Sequence, residues 1–233
     1  MKTIGLLGGM SWESTQTYYR LINEGVKAQL GGLHSARMVL YSVDFAEIEA
    51  LQHAGDWAAT ARILSEAAVS LQNAGADFLV IGTNTMHKVA PEIAQTINIP
   101  LLHIADATAA VLKQNGVDRV GLLGTRFTME QDFYRERLED AGIEVLTPDE
   151  PQRNDVHRII YEELCQGDIR AASRESYLAV VASLADRGAQ GVILGCTEIG
   201  LLINQSDTSI PLYDTTAIHA RQAVEQALAA ASD

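Results

Sequence analysis

Short apolar runs alternate with longer segments of helical spacing along this chain. Three runs have the length and composition of strands: KTIGLLG (2–8), which is interpreted as a buried strand, RMVLYSV (37–43) and DFLVIG (77–82). Between the second and third runs, residues 56–74 carry apolar side chains at helical spacing, and this pattern stops at Gly75. The alternation predicts an α/β fold with mostly parallel strands.

Two further helices can be placed next to these strands. Ser11 is a suitable N-cap for a helix that begins near Trp12, and a second helix is predicted over 89–96. Each of these helices follows a predicted strand, as expected for β–α units.

The second half of the chain repeats the first. IGLLGG (4–9) matches VGLLGT (120–125), GADFLVIGTNT (75–85) matches GAQGVILGCTE (188–198), and IPLLHIAD (99–106) loosely matches IPLYDTTA (210–217). The offsets are 116, 113 and 111 residues, in the same order along both halves. Three colinear matches predict a duplicated α/β unit, with lobe one formed by 1–98 plus 212–233 and lobe two by 99–211.

Two pseudo-symmetric lobes of this kind leave a cleft between them. Ligands of open parallel sheets bind outside the carboxyl ends of the strands, so an active site in the interlobe cleft is expected. A duplicated fold whose cleft binds a ligand without chemistry is the alternative.

Composition narrows the classes of partner and compartment. The 17 basic and 30 acidic residues give a net charge of −13, which argues against nucleic acid and against an anionic membrane surface. Two cysteines give no disulfide framework, the start of the chain does not resemble a secretory leader, and no apolar run approaches the length needed to span a bilayer. A soluble cytoplasmic protein is therefore expected.

The best candidates for chemistry follow two equivalent strands. The repeat aligns Gly82-Thr83-Asn84-Thr85 with Gly195-Cys196-Thr197-Glu198, so that Thr83 and Cys196 each come directly after a buried strand. Backbone N–H groups at the start of a following helix would stabilise a thiolate or a bound carboxylate there.

Several neighbouring residues are candidates for binding a substrate. Asn84, Thr85 and Thr197 are suited to an α-carboxylate and an ammonium group, although such residues also cap helices. Glu198 could take the ammonium group, tune Cys196, or simply complement the dipole of a helix. By the repeat, the loops with Gly8, Gly9 and Met10, and with Thr125 and Thr128, should line the same cleft.

Four other residues are expected at surface, helix-capping or core positions rather than in the chemistry. Arg126 and Lys88 are the cations nearest these loops, and both are expected on the solvated surface. His87 could relay protons to Thr83, but a capping or partly buried histidine is the preferred interpretation. The six histidines show no zinc-site spacing, so no metal is expected, and Cys165 is predicted to be a buried core thiol.

Four segments resemble the aspartate/glutamate racemase superfamily, the amino-acid racemases that use no pyridoxal phosphate. They are GLLGGMSWEST (5–15), TNTMHK (83–88), LLGTRFTMEQDFY (122–134) and GCTEIGLL (195–202), and they look closest to its broad-specificity or L-aspartate/glutamate-specific members. The resemblance implies two α/β lobes, an interlobe active site, no cofactor, an amino-acid substrate and a homodimer.

In this superfamily two acid/base groups act on opposite faces of Cα, and the typical member has a cysteine at both positions. Here the resemblance places Cys196 at one position and Thr83 at the other. An alkyl hydroxyl is too weak an acid to be a ready base at neutral pH, so we expect asymmetric catalysis. Since the second-lobe cysteine handles the L-enantiomer in this superfamily, turnover should favour L-aspartate, L-glutamate or a related small amino acid.

Two alternatives remain open at this stage. A single-cysteine decarboxylase or isomerase of the same superfamily would need only one thiol to protonate its carbanion. A non-catalytic intracellular amino-acid sensor would need the cleft and no reactive thiol at all.

Overall fold

The computed structural model describes residues 1–229. The strands are β1 (Ile4–Gly8), β2 (Met38–Ser42), β3 (Phe78–Ile81), β4 (Leu101–Leu102), β5 (Arg119–Gly124), β6 (Glu144–Leu146), β7 (Val192–Gly195) and β8 (Leu212–Asp214). The helices are α1 (Trp12–Leu30), α2 (Phe45–Ala54), α3 (Trp57–Asn73), α4 (Ala90–Ala94), α5 (Ile104–Gln114), α6 (Arg126–Glu130), α7 (Asp132–Asp140), α8 (Glu150–Glu162), α9 (Ala171–Asp186), α10 (Ile199–Leu202) and α11 (Thr215–Leu228). Short 3-10 helices occur at Thr85–Val89, Leu164–Gln166 and Gln205–Asp207.

Two four-stranded parallel sheets with the same strand order make up the fold. The first sheet has the order β2-β1-β3-β4 and the second the order β6-β5-β7-β8, and every neighbouring pair is parallel. The predicted α/β class and the duplicated parallel sheet are therefore confirmed. The helix predicted to begin near Trp12 does so, with Ser11 as its N-cap accepting from the backbone N–H of Ser14.

The chain divides into two compact units, each built around one sheet. Unit one comprises Met1–Ile104 and the segment from His219 onwards, and unit two comprises Ala105–Ile218. The sequence places the boundaries earlier, at 98/99 and 211/212. They shift because β4 pairs with β3 inside unit one and β8 pairs with β7 inside unit two.

The core of unit one lies on both faces of its sheet, because successive side chains of a strand point to opposite faces. On one face Leu7 packs with the buried side of α3, including Leu64. On the other face Leu6 packs with α1 and α11, through Tyr18 and Ala223 among others. Each fully buried leucine contributes about 1.5–3 kcal/mol relative to an exposed one. In unit two, one buried cluster joins β5 and β7 to α8, α9 and α10.

The face of unit one formed by α1 and α11 also contains a polar contact. His219 is fully buried on α11, its Nδ1 lies 2.8 Å from the Tyr18 hydroxyl, and its Nε2 lies 2.8 Å from the Leu102 carbonyl oxygen. Because a carbonyl oxygen only accepts, Nε2 carries the proton and Nδ1 accepts from Tyr18. Burial lowers the pKa of His219 from 6.5 to about 4.

This depressed pKa makes the free energy of unfolding depend on pH. The unfolded chain binds a proton at His219 below about pH 6.5, whereas the folded chain does so only near pH 4, so stability falls as pH falls from 7 to 5. The slope contributed by one such histidine is about 1.4 kcal/mol per pH unit. Urea unfolding at pH 7, 6 and 5 measures it.

In the variant His219→Gln the free energy of unfolding should depend less steeply on pH, because one fewer proton is bound on unfolding. The variant should also be less stable than the parent protein at pH 7. His34→Gln removes an exposed histidine and serves as the matched control, with the slope of the parent protein expected. Equal slopes for the parent and His219→Gln would contradict the assignment.

Candidate active site

The carboxyl ends of the two central strands of unit one lie side by side. Leu7 of β1 is in register with Ile81 of β3, and the N–H of Gly82 donates to the Leu7 carbonyl oxygen at 2.8 Å. The Ser14 hydroxyl at the start of α1 donates to the carbonyl oxygen of Gly82 at 3.1 Å. The loop that carries Thr83 is therefore held against the first turn of α1.

The loop after β1 depends on a glycine at position 9. Its φ is +92°, and a Cβ there would lie 2.3 Å from the Val43 carbonyl oxygen. The N–H of Gly9 donates to Thr15 Oγ1 at 2.8 Å, which ties the loop to α1. Met10 follows at the same sheet edge, but its side chain is buried in the core beside α3.

The loop after β3 presents one half-buried and two buried side chains. Thr83 is half-buried, whereas Asn84 and Thr85 are buried. Asn84 precedes the 3-10 helix Thr85–Val89 without capping it through its side chain, so the helix-capping alternative is not realised there. Nδ1 of His87 donates to the Thr83 carbonyl oxygen at 2.7 Å, and His87 is buried, as the preferred interpretation of the sequence expects.

In unit two the equivalent strand ends also lie side by side. Gly124 of β5 is in register with Gly195 of β7, and a Cβ on Gly195 would lie 2.6 Å from the Leu123 carbonyl oxygen. Thr125 caps α6 by accepting from the N–H of Thr128, and the two hydroxyl groups are 3.4 Å apart. Thr128 is fully buried beneath this edge.

Cys196 follows β7 with its thiol paired to a carboxylate. The thiol donates to Glu198 Oε2 with a sulfur–oxygen distance of 3.0 Å. Burial of the sulfur is the largest cause that raises the pKa of Cys196 well above its usual value, and the negative charge and hydrogen bond of Glu198 raise it further. The group is therefore a neutral thiol.

Thr197 and Glu198 are half-buried beside the thiol. Glu198 precedes α10, which has four residues, and its side chain does not cap that helix.

Of the two cations near these loops, Arg126 lies on the surface, as the sequence predicts, whereas Lys88 is half-buried. Arg126 is exposed, and its guanidinium donates to Asn154 Oδ1 at 2.8 Å. The Lys88 ammonium lies 4.6 Å from the ring centre of Trp57.

The prediction that Cys165 is a buried core thiol is wrong. Its side chain is exposed. The helical pattern of α8 ends at Glu162, and the chain then turns through the 3-10 helix Leu164–Gln166, in which Leu164 is the buried member.

Two polar groups at the strand ends are missing from the sequence-based candidates. Asp214 ends β8 in register with Leu194 of β7, and burial raises its pKa although two backbone N–H groups donate to it. His103 is buried just after β4. The third repeated segment aligns His103 with Asp214, so this signal was present in the sequence.

No group of three or more His, Cys, Asp or Glu side chains among residues 1–229 is arranged to hold a metal ion. None of the helices described in this range combines the length and apolar composition needed to cross a membrane.

The sequence and the fold were compared with known proteins. Residues 7–223 match the Asp/Glu/hydantoin racemase family. The crystal structure of a putative Asp/Glu racemase from Yersinia pestis is 61% identical, covers 98% of this chain and 100% of that chain, and superposes with a TM-score of 0.94. An aspartate racemase homologue from Pyrococcus horikoshii is 36% identical, with coverages of 97% and 99% and a TM-score of 0.86.

A third relative extends the comparison to the curated proteins. The broad-specificity amino-acid racemase RacX of Bacillus subtilis is 25% identical over 97% of this chain and 98% of its own length. The family match and these nearly full-length similarities agree with one another, and the chain therefore belongs to the Asp/Glu/hydantoin racemase family and is an enzyme of the isomerase class.

Proposed function

We propose that the protein racemises L-aspartate, L-glutamate or a related small amino acid by removing and returning the Cα proton without a cofactor. The observation that carries the proposal is the Cys196 thiol at the end of β7, hydrogen-bonded to Glu198 and matched in the repeat by Thr83 at the end of β3. The proposal requires these two sheet edges to face one substrate, with one side chain on each side of Cα.

The first step uses the Cys196–Glu198 pair. Transfer of the thiol proton to Glu198 leaves a thiolate, and the substrate ammonium group would stabilise this negatively charged pair. The thiolate then takes the α-proton of the L-enantiomer, which regenerates the thiol and leaves a carbanion. Because the pKa of Cys196 is raised, its thiolate is scarce but strongly basic, which suits a weakly acidic Cα–H.

The second step takes place on the opposite face. A proton reaches Cα from the Thr83 hydroxyl, either directly or through a neighbouring group, and the D-enantiomer forms. Thr83 must then recover its proton from solvent, while Glu198 releases the one it accepted. Asn84, Thr85 and Thr197, together with the loops containing Gly9, Met10, Thr125 and Thr128, are proposed to hold the substrate for both steps.

The unequal bases predict unequal proton exchange. Because the two enantiomers have equal free energies, kcat/KM for inversion must be the same in both directions. The two directions can still differ in kcat and in KM taken individually, and in the rate of isotope exchange at Cα. From the L-side, Cys196 can remove and return the proton without help from Thr83. When the D-enantiomer is the substrate, both Cα deuteration and inversion require the slower proton transfer at Thr83.

A second candidate is a single-cysteine decarboxylase or isomerase of the same family. The observation that favours it is the hydroxyl at position 83, because one thiol suffices to protonate a carbanion formed by loss of CO₂. It predicts no exchange at Cα of amino acids and turnover of malonate-type acids instead. A non-catalytic amino-acid sensor would show neither reaction.

We further propose that the protein acts in the cytoplasm as a homodimer. Both cysteines are free thiols, which fits a reducing compartment. Unit one exposes large apolar side chains, including Tyr19, Leu33 and Leu40, and β2 is an edge strand of its sheet. Exposed apolar surface and an open edge strand are features that a second copy can cover.

The racemase proposal is tested by deuterium exchange in D₂O with L- and D-aspartate and L- and D-glutamate. For the L-enantiomers the rate of Cα deuteration should exceed the rate of inversion by about tenfold or more. For the D-enantiomers the rate of Cα deuteration should be no higher than the rate of inversion. NMR measures deuteration and chiral chromatography measures inversion. Cys196→Ser should lose both activities by roughly 10²-fold or more.

Thr83→Cys is the matched variant for the opposite face. A thiol there lowers the slow barrier, so inversion in both directions and deuteration of the D-enantiomers should rise towards the L-side exchange rate. Equal exchange of both enantiomers in the parent protein would contradict the assignment of Thr83, and an active Cys196→Ser would contradict that of Cys196.

The effect of Glu198 on the thiol can be measured without substrate. Glu198→Gln removes the negative charge that raises the pKa of Cys196, so alkylation of Cys196 by iodoacetamide should become half-maximal at a lower pH. Mass spectrometry follows the rate at each pH. The exposed Cys165 of the same molecule is the internal reference. An unchanged or higher midpoint for Cys196 would show that Glu198 does not tune it.

The dimer proposal is tested by light scattering after size exclusion. The expected mass is about twice the 25.2 kDa of the chain. Leu40→Lys places a charge on the edge strand and should shift the mass towards that of one chain. Ile169→Lys changes an exposed apolar residue of unit two and should leave the mass unchanged. A single-chain mass for the parent protein at micromolar concentration would refute the dimer.

A further inference from the structure

Three histidines form a buried cluster in unit one, beneath the loop that carries Thr83. They are His87 after β3, His103 after β4 and His219 on α11. The ring centre of His87 lies 4.5 Å from that of His103 and 5.7 Å from that of His219. These histidines are not arranged to hold a metal ion, and neither is any other group of His, Cys, Asp or Glu side chains among residues 1–229. All four ring nitrogens of His87 and His219 take part in hydrogen bonds within the protein.

The partners of His87 define its protonation. Nδ1 lies 2.7 Å from the Thr83 carbonyl oxygen and must donate to it, whereas Nε2 lies 3.2 Å from the Ile104 N–H and must accept from it. The ring is therefore neutral, with its proton on Nδ1. Burial and the two neighbouring histidines lower its pKa well below the ordinary value, which keeps this form in place.

These contacts connect the Thr83 loop to the points where the chain leaves and re-enters unit one. Ile104 is the last residue of unit one before unit two begins, and His219 is the first residue after the chain returns. His219 in turn donates to Leu102, two residues before Ile104. One segment, Leu102–Ile104, is thus bonded both to the returning helix α11 and, through His87, to the loop of Thr83.

We propose that His87 is a positioning residue for the racemase reaction, which holds Thr83 in place by bonding its backbone carbonyl to the start of α5. This inference rests on the proposed function. Because His87 is buried, water cannot easily replace either of its bonds, and losing one leaves an unsatisfied backbone group. A displacement of Thr83 by about 1 Å is enough to slow its proton transfer strongly.

The proposal predicts a loss confined to one face of Cα. His87→Leu removes both hydrogen bonds at similar volume, so inversion should fall by about 10²-fold while Cα deuteration of L-glutamate by Cys196 stays within a few-fold of the parent rate. His87→Asn keeps a donor near the place of Nδ1 and should recover much of the inversion. His87→Gln keeps its polar group near Nε2 instead and should recover less.

The matched control is Tyr18→Phe, which removes the hydroxyl that donates to Nδ1 of His219 at the edge of the same buried cluster and leaves the hydrogen bonds of Leu102 and Ile104 in place. It should reduce stability and leave the ratio of exchange to inversion unchanged. Circular dichroism and urea unfolding establish that each variant is folded before its rates are compared. Inversion and L-side exchange that fall equally in folded His87→Leu, or an inversion rate that does not fall, would overturn the proposal.

A measurement on the unmodified protein tests the contact itself, even if the variants do not fold. Correlation of the ring ¹⁵N and ¹H signals by NMR should find His87 neutral at pH 6 with its proton on Nδ1, and His219 neutral with its proton on Nε2. A proton on Nε2 of His87 would overturn the proposed bond to Thr83. If the parent protein shows neither exchange nor inversion, the racemase proposal fails and the positioning role with it, while the NMR result still decides the contact.

Discussion

The parallel pairing of the two central strands in each sheet fixes where the candidate side chains lie. In unit one the pairing of β1 with β3 brings Gly9 and Thr83 to the same sheet edge, and in unit two the pairing of β5 with β7 does the same for Thr125 and Cys196. At Gly195 this pairing leaves no room for a Cβ. The register of the strands therefore brings the candidate side chains of each unit to one sheet edge.

The two equivalent edges carry different chemistry on the same backbone frame. At one edge a thiol is bonded to a carboxylate, and at the other a hydroxyl-bearing residue is held through its backbone carbonyl by a neutral histidine. A carboxylate next to Thr83 would have little use, because no nearby base of that strength can ionise an alkyl hydroxyl. Duplication of the fold thus leaves the chemistry of each half to a few side chains.

The sequence predicted the parts of the fold that depend on local pattern. Strands β1, β2 and β3, the N-cap at Ser11 and the duplication all follow from short-range periodicity and from three matching segments. It did not predict features that depend on where a helix ends or on which strands pair within a sheet. Cys165 fits a helical face, but α8 has already ended before it, and the unit boundaries lie beyond β4 and β8 because pairing within the sheet assigns those strands.

The buried histidines show why a site of this kind cannot be predicted fully from sequence. His87, His103 and His219 are separated by 16 and 116 residues along the chain, and no periodic pattern connects them. Only packing of α11 against the sheet brings His219 to the others, and burial is the main cause that keeps His87 and His219 neutral and therefore able to accept as well as donate. A neutral imidazole can join a carbonyl on one side to an N–H on the other, which a protonated ring cannot do. Burial thus lowers the pKa of His219, which costs stability in acid, and also that of His87, which keeps His87 in the neutral form that connects Thr83 to the end of unit one.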